Sequence, residues 1–403
     1  MDVWKSIRVL KMRGDMMNRV IMLSVLLFIF IGSAISPAQQ QLAQPSYILD
    51  VPQGFVLESL SSYGYNNTTI NTISNISNTN PANMFDYNRI SFGISYQVDS
   101  KIKDSWYADI DHYRKNQALP QSFSFILPLN KIRIGLGFSQ KYNSELDYGE
   151  FTGTIVDTSN PAGYLDIVTV RAFKTCHLFD YSLSLGYTFN NFVSDKNSLD
   201  IGLKISWYRY SDEFVAKVIN ILPGYQQDDF SMKNKHSTDE FSFAIGMKYR
   251  LENLQIGLVY ERGKDFNKKA EKYYQMGRLP DKWSAGILLK LSNQMNIAGG
   301  LNYVVLDNPI NDYSDGVKNQ IEPYGSIICQ LSDKVAFSTG FFHTDYRYRR
   351  SSDDRFNAWY VTAGFLYTLK FVSIDLAIAD SHLFSDEWRK QTIFKIGLDY
   401  QMK

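Results

Sequence analysis

From Ile90 to the C-terminus, apolar and polar positions alternate residue by residue in repeated runs. In 199–208 one face carries Leu199, Ile201, Leu203, Ile205 and Trp207, and the other Asp200, Gly202, Lys204, Ser206 and Tyr208. The next run sets Phe241, Phe243, Ile245, Met247 and Tyr249 against Ser242, Ala244, Gly246, Lys248 and Arg250. The same period returns in 254–261, 296–305, 372–378 and 394–400. A period of two marks a strand with one apolar face. Each run has roughly ten residues, which when tilted cover an apolar band ~25 Å tall. Trp207, Tyr249, Tyr260, Tyr303 and Tyr400 fall at run ends, where an interfacial girdle belongs. A soluble sandwich also alternates, but strand length and aromatic placement favour an all-β fold, a transmembrane antiparallel β-barrel.

The links predict the strand count. Short ones lie at 129–131, 251–253, 292–294, 332–334 and 369–371, with a medium one at 190–198. Long polar links lie between them, near 99–120, 143–177, 211–236, 264–280, 307–317, 347–356 and 381–391. Outer-membrane barrels alternate short periplasmic turns with long external loops. Enforcing that alternation gives 14 strands, an even number, starting near Ile90, Ser122, Ile132, Asp180, Leu199, Phe241, Leu254, Trp283, Met295, Ile321, Val335, Ala358, Val372 and Thr392. The strand-like run 166–175 breaks the parity and reads as an extension of a strand or as part of a loop. Lys204, Lys248, Glu261, Lys290, Glu322, Asp375, Lys395 and Asp399 fall on the polar face and should point into the lumen. A Lys facing lipid at mid-depth would cost about 2–4 kcal/mol.

The N-terminal part divides in two. Arg8, Lys11, Arg13 and Arg19 precede the apolar run 20–32, and Ser36-Pro37-Ala38 follows as a cleavage site. This predicts a signal peptide over 1–38, with Met16 or Met17 as an alternative start and a membrane anchor as the alternative reading. Residues 39–88 are rich in Asn, Ser, Thr and Gln and have no sustained period, so alone they form no core. They read as a disordered leader or a plug held by the barrel, 89–403.

Composition narrows the function classes. A net charge of +1 argues against nucleic acid. Cys176 and Cys329 have no metal-ligand spacing and read as unpaired thiols. His112, His177, His236, His343 and His382 fall in no catalytic motif, although His343 stands near Asp345 at a strand end. No enzyme activity, metal or cofactor is expected.

Two stretches carry a resemblance. The polar N-terminal region ends in Asn80-Pro81-Ala82 shortly before the first barrel strand. Leu279-Pro280 opens a second stretch, 279–303, with a polar turn and an outgoing Leu301-Asn302-Tyr303. Together they resemble the FadL/TodX family of outer-membrane transporters for long-chain fatty acids and other hydrophobic compounds. The resemblance implies a monomer in the lipid of a Gram-negative-type outer membrane, with 39–88 folded inside the barrel as a hatch. It implies passive uptake of a hydrophobic small molecule that leaves sideways through a gap near the third strand. There Gly135 and Gly137 are candidates for a wall kink. The alternatives are an assembly or secretion accessory built on the same barrel, and a simple porin.

Overall fold

The computed structural model describes residues 59–100, 102–104, 110–113, 119–156, 165–192, 197–220, 230–266, 278–305, 319–344, 358–384 and 390–402. The expected signal peptide, and the expected hatch as far as residue 58, lie outside the described residues. The wall consists of 14 antiparallel strands: β1 Ser91–Asp99, β2 Ser122–Leu129, β3 Ile132–Val156, β4 Leu165–Asn190, β5 Ser198–Asn220, β6 Phe230–Arg250, β7 Leu254–Glu261, β8 Asp281–Lys290, β9 Met295–Val305, β10 Gln320–Ser332, β11 Val335–Thr344, β12 Ala358–Leu369, β13 Val372–Asp380 and β14 Thr392–Gln401. Each pairs with the next, and β14 pairs back onto β1, which closes the barrel. Closure pairs nearly all of the strand edges, as lipid demands.

The side chains follow the alternation. Leu203, Ile205, Ile287, Leu301 and Leu398 are exposed on the outer face, whereas Lys204, Lys248 and Lys395 are almost fully buried on the inner one. An exposed apolar band around a charged interior is the reverse of a soluble protein, so the barrel spans a membrane. Of the charges expected inside, Lys290 differs: it is exposed, at the very end of β8 beside a turn.

Twelve of the fourteen strands begin within two residues of the expected starts. The exceptions are β4 and β6, which begin at Leu165 and Phe230 rather than near Asp180 and Phe241. Strands β3 to β6 run 21 to 26 residues, more than a membrane needs. Beyond the apolar band a strand need not keep one face apolar, so the periodic signal ends before the strand does. The run 166–175 is therefore the extension of β4.

Residues 59–88 lie on the lumen side of the wall. A small hairpin, Leu60–Ser61 with Gly64–Tyr65, leads into two 3-10 turns, Ile73–Asn78 and Pro81–Asp86. Apart from Tyr63 and Ile70, the residues described from Ser59 to Phe85 are buried, although many are Asn, Ser or Thr. The wall supplies what this polar segment lacks for a core of its own.

Candidate functional site

The lumenal segment is bonded around the circumference of the barrel. Asn67 Nδ2 donates to Ser284 Oγ on β8 (2.9 Å) and to Asn302 Oδ1 on β9 (2.8 Å). Ser326 on β10 donates to Tyr63 O (2.9 Å), and Ser338 on β11 to Ser62 O (2.6 Å). Ser122 on β2 donates to Ser74 O at 2.8 Å. Buried polar groups are tolerated only when paired in this way. Tyr63 and Tyr87 keep their hydroxyl protons well past the usual tyrosine range, because burial disfavours the phenolate and Asp375, Asp399 and Asp86 repel it.

Two anchors stand out. Asp375 on β13 accepts from Ser62 N (2.5 Å) and Thr72 Oγ1 (3.3 Å). Asp399 on β14 accepts from Ile73 N (3.0 Å) and Ser74 N (2.9 Å), and Lys395 donates to Asn75 Oδ1 at 2.7 Å. Farther along, Lys248 on β6 lies 2.7 Å from Asp86, and Arg250 lies 3.6 Å from Asp86 and 2.5 Å from Asp200 on β5. Arg133 on β3 donates to Tyr87 O (3.1 Å) and Asn88 Oδ1 (2.9 Å).

The Asn-Pro-Ala stretch has a structural job. Asn80 caps the second 3-10 turn, its Oδ1 accepting from Ala82 N (2.9 Å) while Nδ2 donates to Thr68 O (2.7 Å) and Met247 O (3.0 Å). Pro81 takes the first turn position, where no N–H is needed. The turn presses so close to the wall that a Cβ on Gly246 would collide with Asn80 Oδ1, and one on Gly202 with Pro81 and Ala82.

The other expected site residues are spread apart. Gly135 and Gly137 sit in unbroken pairing with both β2 and β4, and Gly135 gives room to Met84. The irregularities of β3 lie farther on, between Gln140 and Tyr142 and between Asp147 and Glu150. Leu279 pairs with Lys264 in a short hairpin at the long-link end, and Pro280 leads into β8, remote from the lumenal segment. Among the described residues no group of His, Cys, Asp and Glu could hold a metal. Cys176 and Cys329 form no disulfide. His343 stacks on Trp359 at 4.5 Å, and exposed His382 bonds Asp380 at 3.0 Å.

Outward of the segment the lumen is two-sided. Over β10 to β14, Tyr65 stacks on Phe342 (4.4 Å) and Phe342 on Tyr360 (4.6 Å, 4° between planes), packed with Ala358, Ala377, Ala379 and Ile393. Over β3 to β8 the inner face carries the charges of Lys141, Asp180, Lys204, Glu261 and Lys282, beside a second aromatic group in which Tyr210 stacks on Phe266 (5.0 Å). Among the described residues the wall is paired unequally on the two sides of β1. The pairing of β1 with β14 runs to Asp99↔Ile393, but its pairing with β2 ends at Ser95↔Ser122. The contact of Tyr65 with the Phe342–Tyr360 pair escapes sequence reading, because nothing local places the lumenal segment against β11. Asp180 and Lys204 were findable, since both fall on the polar phase.

No protein-family model matches this chain, and no curated protein sequence matches it. Solved structures do. The chain is similar to the Ralstonia pickettii toluene transporter TbuX (TM-score 0.60, 14% identity, 87% of this chain and 99% of that one). It is also similar to the CymD monoaromatic hydrocarbon channel (TM-score 0.54, 12% identity, 87% and 99%). A third is a Pseudomonas aeruginosa FadL homologue (TM-score 0.50, 11% identity, 88% and 99%). At such identities the likeness is one of fold, and it spans nearly the whole of each relative. The chain has the fold of the FadL/TodX-type barrels.

Proposed function

We propose that this protein is an outer-membrane channel for the passive uptake of hydrophobic small molecules. In this reading residues 59–88 are the inner part of a hatch that blocks straight passage. The short-turn end faces the periplasm, and cargo leaves sideways beside β1, where the β1–β2 ladder stops at Ser95. The observation that carries it is the combination of a filled inner lumen with an apolar aromatic wall on its outer side. Phe342 and Tyr360 are almost fully buried against Tyr65 of that segment, so this side of the lumen is filled by apolar contact. The relatives named for toluene and monoaromatic hydrocarbons suggest small aromatic cargo. The length of the barrel also suits long-chain fatty acids, and the two cargo classes are separate arms of the test.

The test compares uptake of labelled long-chain fatty acid and of labelled toluene in outer-membrane-competent bacteria with the gene, without it, and with residues 59–79 deleted. Uptake of at least one compound should depend on the gene, and the deletion should change its rate. Equal uptake of both by all three strains overturns the reading.

A further inference from the structure

The charges midway along the lumen form a chain that neither anchor of the lumenal segment uses. Lys204 on β5 stands 3.5 Å from Asp180 on β4. Lys141 on β3 lies 4.0 Å from the same carboxylate and 3.9 Å from Glu261 on β7. Glu261 is 3.0 Å from Lys282 on β8. Most of these contacts join neighbouring strands, and Glu261 and Lys282 face each other directly in the β7–β8 ladder. One does not. Between β3 and β7 lie β4, β5 and β6, so the Lys141–Glu261 pair reaches across the lumen.

Lys141 keeps the inward phase of Arg133, Gly135 and Ser139, and it sits at a bulge, since Gln140 pairs with Phe179 and Tyr142 with Leu178. The bulge abuts the start of β2, where Gln140 donates to Gln121 O (2.8 Å) and Pro120 O (2.7 Å). That is where the β1–β2 ladder stops. The surrounding polar atoms are loosely held. Both Asp180 oxygens and Lys204 Nζ make no hydrogen bond, and contacts of 3.9–4.0 Å are beyond hydrogen-bond range.

We propose that Lys141 and Glu261 form a cross-lumen clasp, a second closure outward of the lumenal segment that cargo parts on its way to the gap. The proposal rests on the channel reading above. The clasp holds by charge alone, so a passing molecule separates it without breaking a hydrogen bond.

The test uses a background with Cys176→Ser and Cys329→Ser and a reporter thiol from Ser184→Cys, inward of Asp180 on β4. A membrane-impermeant maleimide is applied from outside to cells carrying the full chain. Lys141→Met and Glu261→Gln should each raise the labelling rate several-fold, and the double variant should not exceed the faster single one, because both remove one contact. Lys282→Met removes the same charge from Glu261 without crossing the lumen and should leave the rate unchanged. Lys141→Arg, which keeps the charge and its reach, guards against misfolding and should stay near the parent rate. Unchanged labelling with Lys141→Met, or an equal rise with Lys282→Met, overturns the clasp. Uptake of labelled toluene is measured in parallel. Absent gene-dependent uptake of either cargo counts against the channel reading, while the labelling still decides the clasp.

Discussion

Along residues 62–74 the wall supplies negative charge and the lumenal segment answers with neutral donors. Asp375 and Asp399 accept from the backbone of Ser62, Ile73 and Ser74. Along 80–88 the signs reverse: Lys248 and Arg250 take the segment's own carboxylate, Asp86, and Arg133 takes its carbonyl at Tyr87. The first anchor is charge against dipole and the second charge against charge. They differ in what is left behind when one partner goes. Removing a wall carboxylate strands two N–H groups but also relieves the crowding of two buried acids. Removing Asp86 strands Lys248, whose side chain is fully buried, with Thr69 O at 3.3 Å as its remaining bond to the segment.

The largest effect should therefore come from Asp86→Ala. Lys248 is left charged and fully buried. Because Asp86 itself is exposed, the loss should reach only the lower end of the about 3–5 kcal/mol for a buried pair broken from one side. Hydrogen exchange should show residues 81–86 losing protection, with 62–74 retained. Loss at both ends together would mean that the segment moves as one unit, and the contrast drawn here would fail. Adding Lys248→Met to Asp86→Ala should restore most of the protection, since the orphaned charge is then gone.

Asp399→Ala is the matching perturbation at the other end. It leaves Ile73 and Ser74 N–H without acceptors, at about 1–3 kcal/mol for each unsatisfied buried group. The relief of Asp375 brings the net effect toward the lower bound, about 2 kcal/mol for the two groups, so it should be smaller than that of Asp86→Ala. Exchange at Ile73 and Ser74 measures it. A loss equal to that of Asp86→Ala would show that backbone-to-carboxylate bonds, not ion pairs, hold the segment.

The contrast also marks how far the sequence could be read. The wall was legible because lipid imposes one rule on every strand, apolar outward, and 199–208 or 241–250 obey it without exception. Asp375, Asp399, Lys248 and Lys204 were placed in the lumen by the same rule. Their partners were not, since Asp375 and Ser62 are 313 residues apart and nothing local encodes the pairing. Lys141 falls on the inward phase of Arg133, Gly135 and Ser139, but its partner Glu261 on β7 is likewise remote in sequence, as Ser62 is from Asp375. The extensions of β4 and β6 were missed where water replaces lipid and the rule lapses.

The smallest effects separate the two stretches on which the family resemblance rests. Asn80 joins three bonds in one side chain, so Asn80→Ala should cost about 0.5–2 kcal/mol, as for a lost cap, read as faster exchange at Ala82 and Asn83. Pro280 donates nothing and stands at the long-link end, where Leu279 pairs only with Lys264. Pro280 is half-buried, and Pro280→Ala should cost less than Asn80→Ala, since no hydrogen bond is lost, and leave exchange in 59–88 untouched. If Pro280→Ala instead loosened the lumenal segment as much as Asn80→Ala, the outer hairpin and the segment would be coupled through β8, where Ser284 accepts from Asn67. That strand would then be the route by which events at the long-link end reach the inner lumen.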